Sequence, residues 1–88
     1  MIGELIEKET IDTHDFLAAE LALPQEKLDN LVNAQRLGNE FKAKVTLAFN
    51  TKHGIKKVTT TVWSVTEKYI QLKNNVHIPI MSLVDIEF

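Results

Sequence analysis

Residues 41–50 alternate without a break. Phe41, Ala43, Val45, Leu47 and Phe49 take one set of positions, and Lys42, Lys44, Thr46, Ala48 and Asn50 take the other. Successive strand side chains point to opposite faces, so a period of two predicts a strand with one buried and one wetted side. Asn50-Thr51-Lys52-His53-Gly54 reads as a turn, with Gly54 supplying a positive φ. A run rich in β-branched residues predicts a second strand from about Ile55 to Val65. Thr66-Glu67-Lys68 turns the chain, and Tyr69–Leu72, Val76–Ile80 and Leu83–Phe88 predict three more short strands.

The side-chain period also constrains pairing, because a slip of one residue turns every side chain to the other face. Around Asn74-Asn75 a two-residue loop would pair Leu72 with His77 and Ile70 with Pro79; the preferred three-residue loop of Lys73, Asn74 and Asn75 pairs Leu72 with Val76 and Ile70 with Ile78, gathering four aliphatic residues on one face. Asn75 then takes the left-handed conformation that such a loop needs. Tyr69, Gln71, His77 and Pro79 share the opposite face. In the first hairpin, a Thr51–Gly54 loop pairs Leu47 with Val58, Val45 with Thr60 and Ala43 with Val62. The other register pairs Phe41 with Trp63, burying the tryptophan but turning Lys57 inward. A bulge near Thr61 satisfies both.

The first forty residues read as helical. Ile2, Leu5 and Ile6 suit a short, frayed helical turn. Asp12 or Thr13 is placed to cap a helix over about 14–23, with Phe16, Leu17 and Leu21 on one face. Pro24 interrupts it and starts a second helix over about 24–37. Leu28, Leu31, Val32 and Gln35 form its expected buried stripe, and Gly38 its stop. The expected fold class is α+β: N-terminal helices followed by a five-stranded, antiparallel, strongly bent sheet or barrel. The chain of 88 residues has room for one domain, 1–88, with an acidic helical segment (1–40) and a basic β segment (41–88).

The stretch from Tyr69 to Phe88 resembles the last three strands of SH3-like and Sm-like small barrels, with Pro79-Ile80-Met81-Ser82 as the helical turn before the final strand. The resemblance covers residues 41–88 at the level of pattern. It implies RNA binding and ring assembly, as in Sm-like proteins. The Sm family's RNA-contacting loops carry an asparagine after the second strand and a basic-glycine pair near the fourth. Val65-Thr66-Glu67-Lys68 and Ile80-Met81-Ser82-Leu83 have neither, so no family RNA site carries over. As a whole the chain also resembles members of small uncharacterised bacterial families, the domains of unknown function.

Catalytic machinery is hard to find. There are no cysteines, which removes disulfides, thiolate metal sites and thiol nucleophiles. His14, His53 and His77 show no metal-ligand spacing, so no metal or other cofactor is expected. Ser64 and Ser82 lie in no nucleophile elbow, and Gly3, Gly38 and Gly54 build no phosphate loop. The acidic pairs, such as Glu7 with Glu9, suit solvated helix surfaces better than the part-buried sites that shift carboxylate pKa values. No apolar run approaches the roughly 18 residues of a membrane helix, and the start does not read as a signal peptide. The expectation is a cytoplasmic, non-enzymatic protein with no membrane partner.

Charge divides unevenly. Residues 1–40 hold nine acids against three bases, and residues 41–88 hold seven lysines against three acids. Either the halves pack together and neutralise one another, or the second half carries a basic binding face. Lys42, Lys44, Trp63, Tyr69 and His77 are the candidate binding residues: lysines engage phosphates and aromatic rings stack bases. The competing reading buries Trp63 and Val65 under the acidic helices. With catalytic groups missing, the leading expectation is a small protein-interaction module that binds a protein partner or itself, through the Leu28-Leu31-Val32 stripe or the edge of the last strand. The alternative is a nucleic-acid-binding small barrel.

Overall fold

The structure is a computed structural model that describes residues 3–12, 14–20, 23–73 and 75–87, apart from the Lys8 side chain. It is α+β. Among the described residues there are one α-helix, α1 (Gln25–Phe41), and seven strands: β1 (Glu4–Leu5), β2 (Val45–Thr51), β3 (Gly54–Thr60), β4 (Val62–Val65), β5 (Tyr69–Leu72), β6 (His77–Pro79) and β7 (Leu83–Glu87). They form two sheets, ordered β1-β3-β2-β7 and β4-β5-β6. Only Thr61 separates β3 from β4, so one run of chain passes from the first sheet into the second. No described helix is long and apolar enough to cross a membrane.

Where the period-two pattern is strong, the pairing follows it. Val45 lies opposite Thr60, and Leu47 opposite Val58. The register continues to Thr51 and Gly54, leaving Lys52 and His53 as a two-residue loop, with Gly54 at φ 100°. Ile70 pairs with Ile78, and the Leu72 N–H donates to the Val76 carbonyl at 2.8 Å. Asn75 adopts φ 67°, the left-handed conformation that closes this loop. A short 3-10 turn, Ile80–Ser82, joins β6 to β7.

The inner faces of the sheets meet in one core. Leu47, Phe49, Val58, Val62, Ile70, Leu72, Ile78, Leu83 and Ile86 are all buried there, and Leu31 and Ala34 cover it from α1. The five-stranded SH3-like or Sm-like barrel does not form: the strands make two sheets that do not close into a barrel. The predicted second strand breaks at Thr61. Among the described residues β6 and β7 do not pair with each other, and α1 packs beside β4 and touches β7.

The predicted helix over 14–23 is also absent from the described residues of that span. Leu21 and Ala22, like Ile2 and Thr13, lie outside the described residues. Residues 15–19 instead form an extended strap along the end of β2. The Leu17 N–H donates to the Asn50 carbonyl (3.1 Å), the Lys52 N–H to the Asp15 carbonyl (3.0 Å) and the Ala19 N–H to the Met81 carbonyl (2.8 Å). Phe16 presents its ring edge-on to Phe49, 5.5 Å between centroids. A ten-residue helix nucleates at a cost that local propensity barely offsets, whereas the extended strap gains backbone bonds and buries an aromatic ring. Asp12 does not cap a helix; its Oδ1 accepts the His14 N–H at 2.9 Å in a local turn. Leu5 joins β1 rather than a helical turn, and Glu4–Leu5 pairs in parallel with Lys56–Lys57.

The second predicted helix forms but runs past Gly38 to Phe41. Pro24 stands just before it, and its carbonyl accepts the Lys27 and Leu28 N–H groups. Lys42 closes it in the left-handed conformation (φ 54°), with N–H bonds from Lys42 to Gly38 and from Ala43 to Leu37. Gly38 is needed for close approach, since its Cα faces the Val62 carbonyl. The buried seam is Leu31, Ala34 and Gly38, while Val32 is 62% exposed. Small residues let the helix lie against the backbone of β4 and turn Val32 outward.

The charge asymmetry is partly resolved by packing. Asp15 meets Lys52 at 3.0 Å and Glu4 meets Lys56 at 3.1 Å, each an acid of the first half against a base of the second.

Candidate docking surface

Strand edges are the usual route to chain pairing. Here three of them are obstructed. On β7 the outward-pointing Ile86 N–H donates to Asp85 Oδ1 (2.8 Å), and the Ile86 carbonyl accepts from Lys27 Nζ (3.2 Å). Lys27 also pairs with Asp85 at 3.1 Å. On β4 the Val65 N–H donates to Gln35 Oε1 at 2.8 Å. β6 has only three residues, and Pro79 offers no N–H. The last strand, expected as an edge for pairing, thus has its Ile86 N–H and carbonyl already bonded, the carbonyl by Lys27 of α1.

Burial alone would raise the Asp85 carboxyl. The Lys27 ammonium and the Ile86 N–H outweigh it and hold the group below its ordinary value of 3.8. A depressed folded-state value contributes stability that is present above the unfolded value and is lost as pH falls through the folded one. Asp85→Asn keeps an oxygen for Ile86 and loses the charge. Both side chains are about 30% exposed, so the expected loss at pH 7 is below about 1 kcal/mol. Denaturant titrations of the two proteins should differ at pH 7 and converge as the pH drops below 3.8.

Away from its edges, the second sheet presents a face. Ile70, Leu72 and Ile78 point inward, so Tyr69, Gln71, His77 and Pro79 point out. Tyr69 and His77 meet edge to face, 6.5 Å between ring centroids. Gln71 donates to Asn75 Oδ1 at 2.7 Å. Ser64 lies opposite Gln71, and the register shifts between Val62 and Ser64. Trp63 sits at this irregularity, 50% exposed. The irregularity belongs to the β4–β5 pairing; the bulge expected near Thr61 in the first hairpin does not form, because β3 pairs with β2 in an unbroken register and the chain passes to the second sheet after Thr61.

Beyond Pro79 the face runs into an open groove lined by Tyr69, Pro79, Ile80 and Met81, with Glu67 and Lys68 on its rim. Tyr69 is 45% exposed and Met81 65%. The Ile80 N–H donates to the Lys68 carbonyl (2.8 Å), fixing one wall against the other. Thr66 braces the rim: its hydroxyl accepts the Tyr69 N–H (3.0 Å).

Of the five residues expected to share a binding face, the fold brings Trp63, Tyr69 and His77 to the outer side of the second sheet. The lysines stand apart. Lys42 is the C-cap of α1 rather than a strand residue. Lys44 precedes β2 and borders a shallow hollow with Glu7, Glu9 and Thr59, away from Trp63, Tyr69 and His77. Thr61 is buried. Thr46 and Thr59 keep their cross-strand positions and hydrogen-bond at 2.9 Å. Met81 escapes the sequence reading because Pro79-Ile80-Met81-Ser82 reads as a connector. Its signal is that a single 3-10 turn between two strands cannot bury three side chains: Ser82 goes in and Met81 stays out. No family model, curated protein or solved structure matches this chain.

Proposed function

We propose that this chain is a small, non-enzymatic, cytoplasmic protein-interaction module that pairs with a second copy of itself through the Tyr69–Met81 groove. The observation that carries this reading is the self-complementary character of the groove. A two-fold contact sets a patch against itself, so the patch must match its own image. An apolar centre of Tyr69, Ile80 and Met81 satisfies that, and a rim with Glu67 beside Lys68 allows each acid to meet the partner copy's base. The obstructed strand edges direct association away from sheet extension and toward side-chain packing. Small cores also gain from pairing, because a domain of this size buries a limited apolar area by itself.

Sedimentation velocity tests the reading. The expected result is a dimer at micromolar concentration for the wild-type chain and a monomer for Met81→Glu, which places a charge in the centre of the contact. Met81 is exposed, so folding should be unchanged within about 0.5 kcal/mol. A wild-type monomer throughout the concentration range, or a dimer indifferent to Met81→Glu, contradicts the proposal.

A further inference from the structure

Trp63 lies outside the groove, and a second aromatic residue is still more exposed. Phe41, the last residue of α1, is 70% exposed. The fold brings the chain segments that carry these two residues to one corner. Three chain segments meet at Thr61. Its hydroxyl lies 3.5 Å from the Lys42 carbonyl, and its own carbonyl accepts the Lys73 N–H at 3.1 Å. Gly38 holds the end of the helix against Thr61 and Val62.

The same corner carries charge. Lys42 and Lys73 are exposed, and neither belongs to an ion pair among the described residues. Glu40, also exposed, is the acid next to Phe41 in sequence. Lys44 is two residues further along but borders a different hollow, lined by Glu7 and Glu9. Packing does not explain the arrangement. Phe41 and Trp63 bury too little surface to serve the core.

We propose that this corner binds single-stranded nucleic acid without sequence preference. Unpaired bases stack on Trp63 and Phe41, and Lys42 and Lys73 hold the flanking phosphates. Exposed aromatic faces beside unneutralised lysines are what such binding requires, since every base has a π-face and every linkage a charge. A duplex offers no free base faces to this corner. The site is independent of the groove and of the self-pairing proposed there.

The test is the fluorescence anisotropy of a labelled, mixed-sequence single-stranded oligonucleotide titrated with the full chain at several salt concentrations. Two phosphate contacts predict that log K falls with log salt at a slope of about −1.4. Trp63→Ala should weaken binding about 5- to 150-fold, the loss of one stacked base, and Trp63→Phe should retain most of it. Lys42→Glu combined with Lys73→Glu should abolish it. Lys44→Glu and Met81→Glu should leave it unchanged, the latter even if it dissociates a dimer. Circular dichroism melts establish that each variant folds. No binding at low salt, binding indifferent to Trp63→Ala, or equal displacement of the oligonucleotide by polyglutamate would overturn the proposal.

Discussion

Phe49→Ala is expected to remove about 3–5 kcal/mol of stability, the cost of emptying a large aromatic site in a packed core. Phe49 is among the largest fully buried side chains, 1% exposed. It lies on β2, the strand that both β3 and β7 flank, at the point where the β7 pairing shifts register. Its ring also anchors the strap through Phe16. The surroundings cannot collapse easily into the space, because strands on both sides fix the backbone. A domain of this size has roughly 4–13 kcal/mol in total, at about 0.05–0.15 kcal/mol per residue. The variant should therefore lie close to its unfolding transition in urea at 25 °C. Phe41→Ala is the control. The sequence puts Phe41 and Phe49 in the same alternating row, but Phe41 lies on the helix and is exposed, so its replacement should change stability by less than about 0.5 kcal/mol.

The second large effect belongs to Gly38. A Cβ there would overlap the Val62 carbonyl oxygen and lie 2.9 Å from Thr61 Cγ2. A backbone carbonyl cannot swing aside as a flexible side chain can. The helix must move off β4, which also strains the bond from the Val65 N–H to Gln35. Overpacking of this kind costs about 1–3 kcal/mol, and the strained bond adds about 1 kcal/mol. Gly38→Val is expected to lose about 2–4 kcal/mol in denaturant unfolding. Gly38→Ala tests the sign. In an open helix interior that change stabilises by about 1 kcal/mol; here the contact should make it destabilising. A stabilised Gly38→Ala would mean that α1 does not sit against β4 as described.

These two residues show where the sequence is transparent and where it is opaque. The β half is legible because period two and turn chemistry are local. Val45 opposite Thr60, Ile70 opposite Ile78 and the left-handed Asn75 all follow from residues near one another in the chain. The shared face of Tyr69 and His77 follows from the same register. The helical half is less legible because its outcome depends on distant partners. Gly38 reads as a stop until the Val62 carbonyl is known to face it. Val32 reads as core because it is apolar, but the seam turns on Ala34 and Gly38. The strap reads as a helix because Asn50, Lys52 and Met81, which bond it, lie more than thirty residues away. For the candidate site, the aromatic residues are legible as outward strand positions. The lysines are not: Lys44 comes to share a hollow with Glu7 and Glu9 only in three dimensions, and Lys42 leaves the strand because α1 extends through Phe41.

The proposed association uses the groove at the 3-10 turn, away from the β7 and β4 edges that α1 side chains reach. Amide nitrogen-proton NMR spectra recorded through a dilution series test it directly. The predicted result is concentration-dependent shifts confined to the amides of Glu67, Lys68, Tyr69, Ile80 and Met81, with Asp85, Ile86 and Glu87 unmoved. Shifts centred on Asp85–Glu87, the signature of pairing along the β7 edge, or spectra that do not change with concentration, would contradict it.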